Sequence, residues 1–292
     1  MDEQKNQYRK ALPVQPVERF TPTQIKSIDE ASTKLLAETG ISCAGAKAAV
    51  VYHSAGCRVS EMEDGKQKMW KIHFPEKLLK KALGSVPARV VLGARDPRNT
   101  LLLQADVPAV YFGTGSEANI YLRSRIEKFV SAGAGRNTLH YPVCEEEPGS
   151  MAALADAACL IDHLEHADFF IRNVNIQDPE INQANKDVNV FFTSLCNTAK
   201  HVQGGLTELE ALPAVISLAK IIAGEQPHLP LSFIVCPIRS PLFMVSDSSE
   251  KVIAIAREQI PMVISSSPQG GVTAPIQEEG IVIQINAEIL AG

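Results

Sequence analysis

The second half of the chain alternates between two hydrophobic patterns. Apolar residues at helical spacing predict helices over 148–163, 180–198, 206–224, 246–259 and 276–290. Short runs rich in β-branched and apolar residues predict strands over 167–174, 201–204, 231–237 and 260–264. Strands that alternate with helices of this length indicate βαβ units and therefore a parallel sheet.

The first half follows a different pattern. Helices are predicted over 21–38, 44–55 and 75–83, a hairpin over 57–74, and several short strands between 87 and 122. We expect residues 21–140 to form a mixed α+β part. Residues 1–20 are polar, and Pro13 and Pro16 disfavour a helix, so we predict an extended N-terminal arm. Because such arms often cross onto a neighbouring subunit, we expect a homo-oligomer.

The β/α units of residues 141–292 fit either an open doubly wound sheet or a barrel. No G-x-G-x-x-G run follows a predicted strand, and polar or glycine clusters end several successive strands. These features favour a TIM-type (β/α)8 barrel. Since the sequence stops at Gly292 without further strand and helix units, we expect this barrel to be incomplete at the C-terminus.

Composition limits the function classes. The 292 residues are 45% hydrophobic and carry a net charge of −5, without a Lys/Arg run. This composition argues against a nucleic-acid partner. The six cysteines are scattered and form no C-x-x-C pair, which indicates a reducing compartment. No apolar run reaches the roughly 18 residues of a membrane span. We therefore predict a cytoplasmic enzyme without a membrane partner.

The most informative stretch is 260–292. A β-branched run ends in three serines, and a loop with Gly270 and Gly271 leads into the last predicted helix. Glycines allow positive φ or the close approach of another molecule. A loop between a parallel strand and its helix lies at the carboxyl edge of the sheet, where ligands bind in such folds. Ser266, Gln269, Gly270 and Gly271 are candidate ligand contacts, and a simple tight turn is the alternative.

Two further runs carry candidate chemistry. The Phe-Gly-Thr-Gly run of Phe112–Gly115 offers backbone N–H groups to a phosphate or carboxylate, although a hairpin turn explains it equally well. In Asn197–His201, His201 is a candidate proton shuttle, and a buried structural histidine is the alternative. Lys200 next to it could form a Schiff base in a barrel aldolase or isomerase.

Aromatic residues bear on the recognition of ammonium ions, which bind to aromatic faces. Tyr111, Phe112, Phe169 and Phe170 lie at or beside predicted strands of the carboxyl edge, and core packing is the alternative. Asn173 follows in the polar cluster that ends the strand. His163 and His166 have no third ligand at a suitable spacing, so we predict no metal site.

Several separated runs resemble the trimethylamine methyltransferase family. They are PQGGVTAPI and NAEILAG near the C-terminus, FGTG at 112–115, NTAKH at 197–201, and Cys-Pro followed by Ser-Pro-Leu at 236–242. The resemblance implies transfer of a methyl group from a tertiary or quaternary amine, such as trimethylamine, to Co(I) of a corrinoid. A separate cognate corrinoid protein would supply this cobalamin-type cofactor, so the chain would bind none directly.

The resemblance also implies roles for residues. We expect His201 and Lys200 to be catalytic, and Tyr111, Phe112, Phe170 and Asn173 to bind the amine or betaine. Corrinoid contacts are expected from Gly113, Thr114, Gly115, Ser266, Gln269, Gly270 and Gly271. A glycine betaine methyltransferase of the branch without pyrrolysine and a truncated, non-catalytic binder of the corrinoid protein are the alternatives.

Overall fold

The computed structural model describes residues 8–65, 67–115, 117–130 and 138–292. The helices are α1 (Pro22–Glu38), α2 (Ala46–Ala55), α3 (Glu76–Ser85), α4 (Met151–His163), α5 (Gln183–Asn197), α6 (Leu212–Ala223), α7 (Ser246–Arg257) and α8 (Glu278–Ala291). The strands are β1 (Leu12–Pro13), β2 (Ile41–Cys43), β3 (Arg58–Asp64), β4 (Gln67–His73), β5 (Arg89–Leu92), β6 (Leu101–Gln104), β7 (Ala109–Val110), β8 (Ile120–Val130), β9 (Thr138–Pro148), β10 (Phe169–Ile171), β11 (His201–Gly204), β12 (Leu231–Val235), β13 (Ile238–Arg239), β14 (Phe243–Met244) and β15 (Met262–Ile264).

The described residues group into two compact units, each assembled from segments distant in sequence. The first unit comprises Met1–Arg9, Gly93–Thr100 and Tyr111–Pro230, and the second comprises Lys10–Leu92, Leu101–Val110 and Leu231–Gly292. The division at residues 20 and 140 that the sequence indicates follows the change in secondary-structure pattern and stays a prediction about domains.

The first unit contains a βαβ element of the expected kind. Strands β10 and β11 pair in parallel, with Phe169 opposite His201 and Ile171 opposite Gln203. Helix α5 connects them and packs against α4. A capping box at Asn182 starts α5, and Phe191 is among the fully buried side chains of that helix. The alternation of patterns therefore predicted the parallel pair correctly.

The second unit contains another parallel pair and a mixed sheet. Strands β12 and β15 pair in parallel, and α7 lies between them in sequence. A five-stranded sheet has the order β13-β14-β2-β4-β3. Its strands and helices share a buried core, whose members include Leu36, Ile41, Ile72, Ile238 and Ala287.

Local signals placed the N-terminal helices accurately. The Thr21 side chain caps α1 in a capping box, and Pro22 occupies its first position. Gly40 and Gly56 follow α1 and α2 with φ of +66° and +103°. The predicted hairpin over 57–74 is confirmed as β3 and β4, and its Ile72 is fully buried.

The acidic run Glu145–Glu147 directly precedes the helix predicted over 148–163, where acidic residues usually mark the start of a helix. In the structure these residues lie in β9, and the helix begins only at Met151. Glu145 and Glu147 form ion pairs with Arg125 and Arg123 of the neighbouring strand β8. Pairing with a strand distant in sequence therefore decides the conformation here, and local helix signals do not reveal it.

The barrel stays a prediction. The parallel pairs and their connecting helices have the units that such a fold repeats. Within the described ranges, no helix is both long and apolar enough to cross a membrane.

Candidate functional site

In the second unit, the segments that follow β12 and β15 meet at one buried carboxylate, that of Glu288 in α8. Its side chain is 1% exposed. It accepts hydrogen bonds from Ser240 Oγ at 2.6 Å, Leu242 N at 3.0 Å and Gln284 Nε2 at 2.9 Å, and also from Ser266 Oγ. Since a buried ionised carboxylate is stable only when its oxygens are satisfied, these contacts fix both segments against α8.

The glycine-rich loop that follows is ordered by its own hydrogen bonds. The Gln269 carbonyl accepts from the N–H groups of Val272, Thr273 and Ala274, and the Gln269 N–H donates to Thr273 Oγ1 at 2.8 Å. Gly271 has φ of +76°, which favours glycine over residues with a side chain. This loop therefore has a defined conformation.

The predicted contacts at this loop differ in exposure. Gln269, Gly270 and Gly271 are exposed and present backbone and amide groups to solvent. Ser266 is partly buried, and its hydroxyl donates to Glu288. Their assignment as corrinoid contacts stays a prediction. Three of the four residues have the exposure that a ligand from another protein requires.

In the first unit, charged and amide side chains cluster where β10 and β11 end. Arg172 follows β10 directly, is 7% exposed, and donates its backbone N–H to the Gln203 carbonyl at 2.9 Å. Its Nη2 donates to Glu117 Oε2 at 3.2 Å. Its Nη1 lies 3.7 Å from Asp187 Oδ1, an ion pair too long for a hydrogen bond.

Two buried polar atoms of this cluster lack hydrogen-bond partners in the described part of the chain, Arg172 Nη1 and Asn173 Oδ1. The fully buried Asp187 already has hydrogen-bond partners, because its carboxylate accepts from the backbone N–H groups of Thr207 and Glu208. Adjacent residues thus hold one unpaired donor and one unpaired acceptor at the carboxyl ends of parallel strands, the usual location of ligand sites.

The Phe-Gly-Thr-Gly run lies beside β10. Gly113 forms a parallel bridge with Phe169, and a Cβ at Gly113 would come within 2.5 Å of the Phe169 ring. Thr114 Oγ1 accepts from Ile171 N at 2.7 Å. Gly115 has open space around its Cα. Gly113 therefore allows the Phe169 ring to pack closely against the backbone, and Thr114 forms a hydrogen bond with the backbone of β10. Gly115 leaves space that a ligand could occupy.

The predicted aromatic contacts have different surroundings. Phe112 is 53% exposed, whereas Phe170 is fully buried. Tyr111 is partly buried, and its hydroxyl donates to the Arg9 carbonyl at 3.0 Å. The Phe112 N–H donates to Asp168 Oδ2 at 2.7 Å. Phe112 is thus the most accessible of the three aromatic rings predicted to bind substrate, and the substrate assignment stays a prediction.

Lys200 directly precedes β11 and His201 is its first residue, at the opposite end of the strand from Gln203. Lys200 Nζ donates to the carbonyls of Ile161 and Leu164 at 2.6 and 2.7 Å, at the C-terminal end of α4. His201 is fully buried, and its Nδ1 donates to the Gly93 carbonyl at 2.7 Å. Structural contacts account for both side chains, and their catalytic role stays a prediction.

Burial governs the protonation of these two groups. Loss of hydration lowers the pKa of Lys200, and the positive charge of Arg9 lowers it further. Burial lowers the pKa of His201 to about 4, although the hydrogen bond to Gly93 opposes the shift. The imidazole of His201 is therefore neutral throughout the physiological pH range.

Other candidates fall outside these clusters. His163 Nδ1 donates to the Cys159 carbonyl of its own helix. No group of three His, Cys, Asp or Glu side chains that could hold a metal ion occurs among the residues the structure describes. A cavity of about 390 Å³ lies between the turn at Pro97 and the loop Glu225–His228, and it includes none of the predicted site residues.

Comparison with known proteins confirms the resemblance. The family model described as trimethylamine methyltransferase matches residues 2–123 and 133–292. The chain belongs to the trimethylamine methyltransferase family. The match includes the Glu288 cluster of the second unit and the Arg172 cluster of the first.

Individual members of the family show the same relationship. The chain is 29% identical to a trimethylamine methyltransferase of Methanosarcina barkeri and 28% identical to one of Methanosarcina mazei, over 280 residues each, which is 94% of this chain and 51% of each relative. It is 24% identical to a glycine betaine methyltransferase of Desulfitobacterium hafniense over 286 residues, 94% of this chain and 52% of that protein. The chain spans about half the length of the relatives it matches.

Sequence reasoning missed Glu288, Arg172 and Asp187. Glu288 lies in the NAEILAG run that carried the resemblance, and an acidic residue flanked by Ala287 and Ile289 in the apolar second half of the helix could have identified it as a buried polar group. Arg172, between the apolar β10 and Asn173, offered the same signal.

Replacing Glu288 with Gln is expected to lower the free energy of unfolding by about 2 kcal/mol, because a carboxylate that accepts from every neighbour becomes an amide with one acceptor and an added donor. Urea unfolding of the protein measures the change. Glu279→Gln, at an exposed position of the same helix, is the matched control and should change stability by less than about 0.5 kcal/mol. Equal effects would contradict the role given to Glu288.

The depressed pKa of His201 predicts an acid-dependent loss of stability. Above the unfolded pKa of 6.5 both states are neutral, and as pH falls towards about 4 only the unfolded state gains the proton. We expect this difference in protonation to lower the free energy of unfolding by about 2 kcal/mol as the pH falls from 7 to 5. Histidine NMR titration of the folded protein should show His201 still neutral at pH 5; protonation near pH 6.5 would contradict this.

Proposed function

We propose that the protein is a methyltransferase that moves a methyl group from trimethylamine to the Co(I) corrinoid of a separate, cognate corrinoid protein. The observation that carries this proposal is the family match along both units. Relatives named trimethylamine methyltransferases cover 94% of the chain. We further propose that its parallel β/α units belong to a TIM-type barrel.

The residues of the glycine-rich loop fit a corrinoid that arrives on another protein. A corrinoid ring carries amide side chains at its edge, and Gln269, Gly270 and Gly271 present amide and backbone groups without bulky side chains. When its protein is bound, the corrinoid supplies the nucleophile that accepts the methyl group. In this proposal the chain holds the amine in line with it and excludes water.

The Glu288 network would give this loop a fixed position. It ties the segments of Ser240 and Ser266 to α8, and Gln284 Nε2 also donates to the Thr273 carbonyl at 2.8 Å. A loop held in this way changes little on binding, so less conformational entropy is lost when the partner docks.

A second candidate substrate is favoured by the Arg172 cluster. A betaine carries a quaternary ammonium and a carboxylate, and guanidinium groups bind carboxylates well. Arg172 Nη1 is a buried donor without a hydrogen-bond partner in the described residues, and the partly exposed Glu117 beside it supplies negative charge for the ammonium. Trimethylamine has no group for Arg172 to bind. This observation supports glycine betaine as the alternative.

The activity is tested with the protein expressed from its complete gene. Mixed with a cognate corrinoid protein reduced to Co(I), it should produce methyl-Co(III) absorbance when trimethylamine is added. Corrinoid protein without enzyme, and enzyme with dimethylamine, are the controls. Methylation only with glycine betaine would select the second candidate, and methylation with no amine or betaine would overturn the proposal.

The role of Arg172 is tested by Arg172→Gln in the same assay. If Arg172 binds the carboxylate of a betaine, KM for glycine betaine should rise at least tenfold, while turnover of trimethylamine stays unchanged. Arg95→Gln, whose guanidinium donates to the Leu195 and Cys196 carbonyls, is the matched control. Parallel losses with both substrates, accompanied by a lower melting temperature, would show that Arg172 has only a structural role.

A further inference from the structure

The hairpin of β8 and β9 is the longest strand pair among the described elements of the first unit. Each strand has 11 residues, and the two pair antiparallel from Ile120 opposite Pro148 to Val130 opposite Thr138. In the described part of the chain, their sheet contains no third strand. A two-stranded hairpin is at best marginally stable in water unless one of its faces packs against something.

Its two faces differ in character, because side chains alternate along each strand. One face carries an ion-pair ladder, in which Arg123 pairs with Glu147 and Arg125 pairs with Glu145. Arg123 also pairs with Asp156 of α4. The opposite face, called the apolar face below, is formed by five cross-strand pairs: Ile120–Pro148, Leu122–Glu146, Ser124–Cys144, Ile126–Pro142 and Lys128–His140.

The aliphatic residues of the apolar face are open to solvent. Ile120 is 55% exposed, Leu122 is 59% exposed and Ile126 is 72% exposed. Single exposed aliphatic residues are common, but here three lie on one face of the same strand, with only Ser124 between Leu122 and Ile126. Since the ladder on the other face is satisfied by pairs within the unit, the apolar face is where this hairpin gains most from a partner.

The charges of the apolar face indicate which partner fits. Glu146 lies beside Leu122, whereas Lys128 and His140 lie three cross-strand pairs further along the hairpin. In the described residues neither Glu146 nor Lys128 forms an ion pair within the chain. The face is therefore negative towards one end and positive at the other. When two copies of such a face meet across a two-fold axis, the negative end of each copy lies against the positive end of the other.

We propose that the apolar face binds the same face of a second copy of this chain, with the two hairpins antiparallel and the two-fold axis between Ser124 and Ile126. This register lays β8 on β8 and β9 on β9, so the cross-strand pair that contains Glu146 in each copy faces the pair that contains Lys128 and His140 in the other. It also covers Leu122 and Ile126. Packed sheets lie about 10 Å apart, so the two hairpins form a small four-stranded sandwich. The inference does not depend on the proposed methyl transfer.

Analytical ultracentrifugation of the protein tests the surface. We expect a dimer, and Leu122→Glu or Ile126→Glu should raise its dissociation constant at least tenfold, because each copy then places a charge in the apolar patch. Ile221→Glu, at a 78% exposed position of α6 in the same unit, is the matched control and should leave the dissociation constant unchanged. A monomer at all concentrations, or a dimer unaffected by Leu122→Glu, would overturn the proposal.

Charge exchange tests the register. Glu146→Lys and Lys128→Glu should each weaken the dimer, because each brings like charges together at both ends. An equimolar mixture of the two variants should form heterodimers as stable as the original dimer, since opposite charges then meet at both ends. A mixture no more associated than its components would refute this arrangement. Circular dichroism of each variant confirms that folding is unchanged.

Cys144 supplies a cross-linking probe, since it is exposed and lies in the cross-strand pair directly beside the axis. In a background with the other exposed cysteines, Cys159, Cys196 and Cys236, replaced by Ser, a short bismaleimide should link two chains through Cys144. Cys144→Ser should abolish the product, and Leu122→Glu should reduce it. A linked dimer that persists in the Leu122→Glu variant would place the contact elsewhere.

Discussion

A buried charge must be satisfied, and this requirement organises the candidate site in each unit. In the second unit, Glu288 accepts only from uncharged donors, so four groups from three segments must converge on it. Because each donor would lose a charge-assisted hydrogen bond if it moved, the segments after β12 and β15 are held against α8. The exposed glycine loop has its own internal hydrogen bonds, and Gln284 joins it to this buried network by donating to the Thr273 carbonyl as well as to Glu288.

In the first unit the buried charges are paired, but the hydrogen bonding of the cluster is incomplete. Arg172 offsets Glu117 and Asp187, yet one of its nitrogen atoms and the Asn173 carbonyl oxygen have no hydrogen-bond partner in the described residues. Folded proteins rarely leave buried polar atoms unpaired, so each such atom calls for an explanation. The two clusters thus differ: the oxygens of Glu288 are satisfied within the second unit, whereas two polar atoms of the Arg172 cluster have no hydrogen-bond partner in the described residues.

The chain belongs to the trimethylamine methyltransferase family. The methyl transfer that we propose for it would depend on alignment and on exclusion of water more than on proton transfer. The neutral, fully buried His201 and the helix-capping Lys200 are consistent with such a reaction, in which no titrating base is needed. Binding groups at the strand ends then matter more than acid or base groups.

The sequence by itself determined the family, through its matching runs of residues. It also determined the helices and the parallel β/α pattern, because caps, glycine stops and hydrophobic spacing act between neighbours in the chain. Thr21, Gly40 and Gly56 illustrate this. Only the tertiary structure decided the strand conformation of Glu145, the network of Glu288 and the unpaired donor of Arg172. Their partners lie 20 or more residues away, at Arg125, Ser240 and Glu117, and contacts between distant segments leave no local pattern.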